Sequence, residues 1–246
     1  ELERAMRRNI DRNLHINVID DPIEAIIRYP NDSPIRSALS YKRKMSWAHY
    51  LSHRTRIYLS KMRHQTPLVW FGSHGNHFAP GGMLDILRLR NCLEETNLTN
   101  PLTLTIISNN KKKFQENFSD WSFPIYYLDW DRINFLALLR LHDISIIPAQ
   151  LNAFTTCKSS NRVSLSLYHG LAVIADPVPS YLQFLPNIRI GNWDESLATY
   201  ISQPSVRKRE ATRGKLDAIE KYSSEAITLK WLDVFLPSPR PTIIYK

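Results

Sequence analysis

A chain of 246 residues with 43% hydrophobic residues is long enough to bury a sizeable core, which sets disorder aside and leaves one large α/β domain or a domain with an appendage. Its two cysteines, Cys92 and Cys157, stand far apart with no C-x-x-C spacing, so a disulfide framework and a structural zinc site are not indicated and a reducing compartment is expected. The net charge of +9 leaves nucleic acid, an anionic membrane surface and phosphorylated small molecules open as partners.

The start, "ELERAMRRN", has no initiator Met and no apolar signal-peptide core, and reads as a cut inside a longer protein. Residues 14–20, "LHINVID", alternate like a strand and stop at Asp21 and Pro22. Residues 35–64 are rich in Lys and Arg, hold no Asp or Glu, and interleave Trp47, Tyr50 and Tyr58. That pattern predicts a basic, partly amphipathic helix outside the core, facing solvent or touching a membrane surface or phosphates. From 67 onward short apolar strands alternate with helical segments: strand 67–71, a helix over "GGMLDILRLRNCLEE", strand 102–108, helix 111–118, strand 124–130, helix 132–142, strand 144–148, helix 160–169 and strand 171–176. A strand-like "IRIG" at 188–191, a helix over 193–202, a polar charged stretch over 204–217 and an amphipathic helix around 218–235 complete the chain. Continuous apolar strands separated by helices predict a doubly wound, parallel α/β sheet covered on both faces, the Rossmann-like class. The expected division is an N-terminal segment over 1–66, a Rossmann-like domain over 67–236 and a tail over 237–246.

Ligands of such sheets bind at the carboxyl ends of the strands, and the polar residues collect there. After the first strand comes "FGSHGN", whose Gly72 and Gly75 allow close backbone approach and whose Ser73 and Asn76 can donate to a phosphate or a sugar hydroxyl. It lacks both G-x-G-x-x-G and G-x-x-x-x-G-K-[ST], so a plain strand-to-helix turn is an equal reading, and His74 is given no catalytic role. Asn109 follows the second strand, and Asp129 and Trp130 stand at the carboxyl end of the third, where Trp130 either shelves a nucleobase or belongs to the core. The richest cluster lies at the start of the helix over 160–169: Lys158, Ser159, Ser160, Asn161 and Arg162 combine two cations, two hydroxyls and the unpaired N–H groups of a helix start, a set suited to a diphosphate. Capping by a serine beside solvated cations is the plainer reading. Metal-ligand spacing and a G-x-S-x-G turn are both absent, and no catalytic residue is assigned.

The run "HDISIIPAQLNAFTTCKSSNRVSLSLYHGLAVIADPVPSYLQF" resembles the nucleotide-sugar-binding half of GT-B-type glycosyltransferases of the family 4 or family 1 style, in which an aspartate-led strand ending in proline, a K-x-x-N-R helix start and a glycine-led apolar strand follow in this order. The likeness extends over about 67–236, with "INVIDDPIE" where that family's hinge would enter the domain. The resemblance implies that the "FGSHGN" loop and residues 158–162 hold the donor diphosphate, while the loop after "YYLDWD" contacts the base. It implies a nucleotide diphosphate sugar as donor, no further cofactor and no metal, a cytoplasmic place in polysaccharide biosynthesis, and an acceptor glycan, lipid or protein presented by a missing N-terminal domain. Two glutamates of retaining members would fall on Cys157 and Leu165, neither a carboxylate. The competing reading is a non-catalytic module that kept the fold and uses its basic surface for a membrane, nucleic acid or a protein.

Overall fold

The computed structural model describes residue 23 and residues 47–75, 81–131 and 134–236. The predicted strand 14–20, the first part of the basic segment, Asn76 and the tail 237–246 lie outside the described residues. Helix α1 (Trp47–Met62) leads into β1 (Thr66–Phe71), and a 3₁₀ segment Gly82–Leu89 runs into α2 (Arg90–Thr99). Then follow β2 (Leu102–Ser108), α3 (Lys111–Phe118), β3 (Ile125–Asp129), α4 (Phe135–Leu139) and β4 (Ile144–Ile147). The short 3₁₀ turn Thr155–Cys157 precedes α5 (Asn161–Tyr168) and β5 (Ala172–Ala175), and a second, Pro179–Phe184, precedes β6 (Arg189–Ile190). Helices α6 (Trp193–Ser202), α7 (Pro204–Tyr222) and α8 (Ser224–Phe235) close the described chain.

The six strands form one sheet in the order β3-β2-β1-β4-β5-β6, every pairing parallel. The predicted fold class holds. Period-two geometry sends alternate residues of β1 to opposite faces. Val69 and Phe71 join the core beneath α4, α5 and α7, while Leu68 and Trp70 join the core beneath α2, α3 and α6. All six β1 residues are buried, as a strand covered on both sides requires.

Three elements differ from the sequence expectation. The basic helix is not outside the core: His53, Ile57 and Ser60 of α1 are buried against the sheet, with Tyr50 half-buried one turn earlier. The 3–4 spacing of these four residues is a narrow stripe, and two of its members are polar, so the surrounding charge hid it. Buried His53 and His142 meet there through the Thr105 hydroxyl of β2, which lies 3.3 Å from His53 Nε2 and 2.8 Å from His142 Nε2. The stretch 204–217 is helical, forming α7. Its buried positions are Ala211, Gly214, Ala218 and Tyr222, and three of the four are too small to register as an apolar face. They let α7 lie close on α5: a Cβ on Gly214 would fall 2.5 Å from Leu167 Cδ2. Finally, the segment after the first glycine loop is split into a 3₁₀ stretch and α2 rather than forming one helix.

At the amino edge of the sheet Asp143 receives Lys61 of α1 at 2.6 Å and Arg207 of α7 at 3.2 Å. The carboxyl edge is thereby left to loops.

Candidate functional site

The carboxyl edge holds a cavity of about 420 Å³, within the usual size range of small-molecule sites. Strand ends and two helices build it: Phe71 at the end of β1, Gly72 and Ser73 after it, Asn109 after β2, Trp130 after β3, Phe135 from α4, and Asn161, Arg162, Ser164 and Leu165 from α5, together with the buried Ile23. One wall is aromatic and apolar, Trp130 tilting against Phe135 at 6.3 Å between ring centroids. Ser73, Asn109, Asn161 and Ser164 add polar groups, and among the described residues Arg162 is the one ionisable side chain lining the cavity.

The loop after β1 is held in place from three sides. Ser108 Oγ donates to the Gly72 carbonyl at 2.9 Å, and the Gly72 N–H donates to Ile107 O at 3.1 Å. His74 donates from its ring Nδ1 to Asn109 Oδ1 at 2.8 Å, and Lys113 Nζ donates to the His74 carbonyl at 3.1 Å. Below, Met83 N–H donates to Ser73 O at 3.2 Å. Gly82, at φ +68, fits so closely under the loop that a Cβ would lie 2.4 Å from Ser73 O. Gly72 sits between the Trp70 ring and the guanidinium of Arg162: a Cβ there would be 3.2 Å from the ring and 3.5 Å from Nη1. Arg162 therefore reaches from α5 across to the glycine loop.

Behind the cations stands Asp85, a buried carboxylate. It accepts from Gly82 N–H at 2.9 Å and Gln150 N–H at 3.4 Å. Burial pushes its carboxyl above the ordinary value, against the pull of those two N–H groups and of Lys158 and Arg162. Lys158 is held below its ordinary value by burial first and by Arg162 next, Asp85 opposing. Asp85 thus ties the first loop, the loop after β4 and the two cations into one electrostatic unit.

Of the residues expected at the site, Gly72, Ser73, Asn109, Trp130, Asn161 and Arg162 line the cavity. Gly75, Asp129, Lys158, Ser159 and Ser160 do not. Gly75 belongs to the packing against Gly82. Asp129 accepts from the Tyr127 hydroxyl at 3.0 Å. Lys158 lies 5.2 Å over the Phe154 ring. Ser159 is exposed, and Ser160 is buried at the start of α5 without a side-chain capping bond. The sequence reading missed Ile23, Phe71, Phe135 and Ser164, and placed Leu165 only as the position of an absent glutamate. Phe71 and Phe135 read as core because they close a strand and open a helix. Ser164 and Leu165 share helical spacing with core residues, and the turn at Pro22 gives no sign that Ile23 returns to the domain, where its N–H donates to Tyr222 O at 2.9 Å. Cys157 is exposed and off the cavity, whereas Leu165 is on it. Among the described residues no group of three His, Cys, Asp or Glu is placed to hold a metal ion.

No protein-family model matches the chain, and neither does any curated protein sequence. Solved structures do match. OtsA in its apo form superposes with a TM-score of 0.55 at 12% identity, covering 73% of this chain and 46% of its own. Anabaena HepE in complex with UDP and glucose gives 0.55 at 10%, covering 79% and 53%. The UDP-forming α,α-trehalose-phosphate synthase of Burkholderia xenovorans, in complex with glucose-6-phosphate, gives 0.51 at 14%, covering 77% and 46%. The fold is that of one half of a GT-B glycosyltransferase. The chain spans about half the length of these GT-B structures. Among the described residues no helix is long and apolar enough to cross a membrane.

Proposed function

We propose that the chain is the donor-binding half of a glycosyltransferase that moves a sugar from a nucleotide diphosphate sugar to a glycan, lipid or protein acceptor presented by another domain or chain. The observation that carries this reading is Arg162 spanning from α5 to the Gly72 loop in a cavity that Trp130 and Phe135 also line. Trp130 and Phe135 offer an apolar face to a nucleobase, and Ser73, Asn109 and Asn161 offer hydrogen bonds to ribose or phosphate. As the bond from the anomeric carbon to the diphosphate breaks, the leaving group gains negative charge. Arg162, Lys158 nearby and the N–H groups at the start of α5 supply preorganised positive charge for it. Residues 67–236 form the donor domain in this reading, without metal or further cofactor. Its place is the cytoplasm, in polysaccharide biosynthesis, with a membrane contact through the 35–64 segment.

A screen of UDP, GDP, ADP, dTDP and CMP compounds by thermal shift tests it. A bound donor at about a hundred times its dissociation constant stabilises the fold by about 2.7 kcal/mol. Arg162→Ala should weaken that binding by about 1.5–3 kcal/mol, the range of charge-assisted bonds, with little loss of stability. A flat screen, or equal affinity in variant and parent, counts against the reading.

A second reading, a binding module that does not transfer, draws on Leu165. It gives the cavity an apolar side chain where the family likeness calls for a carboxylate, so no acceptor of hydrogen bonds for the donor sugar stands there. One parallel-sheet domain supplies only one wall of a water-excluding cleft. The chain assayed alone should accordingly bind a nucleotide sugar without turning it over, and a longer protein carrying an acceptor domain should transfer. Binding without transfer in the longer protein selects the module.

A further inference from the structure

We infer that the outward face of α1 is a docking surface for an anionic phospholipid bilayer. Tyr50, His53, Ile57 and Ser60 face the sheet, and the opposite side of the same helix carries Leu51, Tyr58, Leu59 and Met62, which are 51%, 64%, 43% and 62% exposed. Tyr58, Leu59 and Met62 adjoin one another on this face, and Leu51 lies in line with Tyr58 two turns earlier beyond the exposed Thr55, so the face carries apolar side chains that the domain's own core does not cover. A solvated helix face would carry charge along this line. Here the charge flanks it: Arg54 lies on one side, and Arg56 and Arg63 lie on the other, all exposed. Long cationic side chains beside an apolar stripe extend toward headgroup phosphates while the stripe enters the acyl boundary.

The sign of the charge selects the occupant. Neither α1 nor the two residues after it contain an acid, and Lys61 alone of the four cations is taken by a carboxylate, Asp143. Among the described residues no ion pair engages Arg54, Arg56 or Arg63, and Arg56 lies 5.5 Å over the Tyr126 ring. A second copy of the chain would bring the same three cations into the interface, and like charges there oppose association. An anionic bilayer supplies the apolar layer and the countercharge together. With 16 residues, mostly polar, α1 lies on a bilayer rather than spanning it.

The proposal names the lipid class and the residues of the membrane contact in the reading above and rests on that reading, yet the two fail separately. Vesicle binding is measured without nucleotide, and donor binding without vesicles. In co-sedimentation, the full chain should bind vesicles of equimolar phosphatidylcholine and phosphatidylglycerol and lose them at high salt. It should bind phosphatidylcholine alone at least about tenfold more weakly. The variant R54Q/R56Q/R63Q should bind the anionic vesicles about a hundredfold more weakly, about fivefold for each cation. L51S/Y58S/M62S should lose binding to both kinds of vesicle, and its melting temperature should match the parent's because the replaced side chains are exposed. Equal binding to neutral and anionic vesicles, or none at low salt, overturns the proposal. So does a parent that self-associates, ignores vesicles and becomes monomeric with L51S/Y58S/M62S, which assigns the face to a second copy.

Discussion

Acidification from pH 7 to pH 5 should lower the folding stability by a few kcal/mol, a large share of the roughly 5–15 kcal/mol that a domain holds. Three buried histidines are responsible. Burial, with Arg56 adding to it, pushes His53 down to about 4. Burial and then His53 push His142 down to about 3. Burial, then Arg140 and Lys215, push His169 down to about 4. Well above pH 6.5, from about pH 7.5 upward, the rings are neutral in the folded and unfolded chain alike, and they contribute no pH dependence. Between about 7.5 and 3 the unfolded chain binds protons that the folded one refuses, so stability falls as pH falls, and the loss from these rings levels off below pH 3. Urea titrations at pH 7 and pH 5 read this directly through the midpoint at unchanged slope. A midpoint that does not move would show that the histidines are accommodated with their protons.

Gly82→Ala should be the most damaging single-methyl change near the site. The left-handed backbone at φ +68 costs a side chain about 1–3 kcal/mol. The new Cβ also meets two backbone atoms, Ser73 O at 2.4 Å and Gly75 N at 2.9 Å, which cannot rotate aside. An overlap of this kind adds about 1–3 kcal/mol. The melting temperature should drop by roughly 5–15 °C, and donor binding should weaken because the displaced loop carries Gly72 and Ser73. Gly170→Ala is the control. Its φ is +81 but nothing lies within 4 Å of the new Cβ, so only the backbone cost remains. Equal losses in the two variants would show that the contact with Ser73 carries no energy, and unchanged donor affinity in Gly82→Ala would detach the loop from the site.

Much of the fold is readable in the amino-acid order because burial on both faces leaves its mark on strands. "LTLTIIS" has no polar residue larger than threonine or serine, and the structure gives the same bounds, Leu102–Ser108. Helix α3 is as legible for a different reason: Asn110 is a strong cap, and its Oδ1 accepts from Lys113 N–H at 2.9 Å. Helix α7 was hidden because close approach to α5 demands small side chains, and alanine and glycine carry almost no hydrophobic signal. At the site, residues at strand ends were found because polar side chains are conspicuous after apolar runs. Of the apolar lining only Trp130 was, because Phe71 and Phe135 use the same chemistry to line a cavity as to fill a core. Lys158 and Ser160 were placed on the ligand from their neighbours in sequence, but successive residues around a helix start point in different directions, and Arg162 alone of the two cations reaches the cavity.

The strand order carries a cost during synthesis. β1 lies at the centre of the sheet, yet the neighbour on one side of it, β2, follows at once while the other, β4, begins only at Ile144. On a growing chain, the hairpin-free trio of β1, β2 and β3 can assemble first, and until β4 has left the ribosome the backbone of Leu68 and Val69 is a bare edge at what will be the middle of the protein. That edge is the segment a chaperone has most reason to cover, and the one through which two unfinished chains would pair with each other.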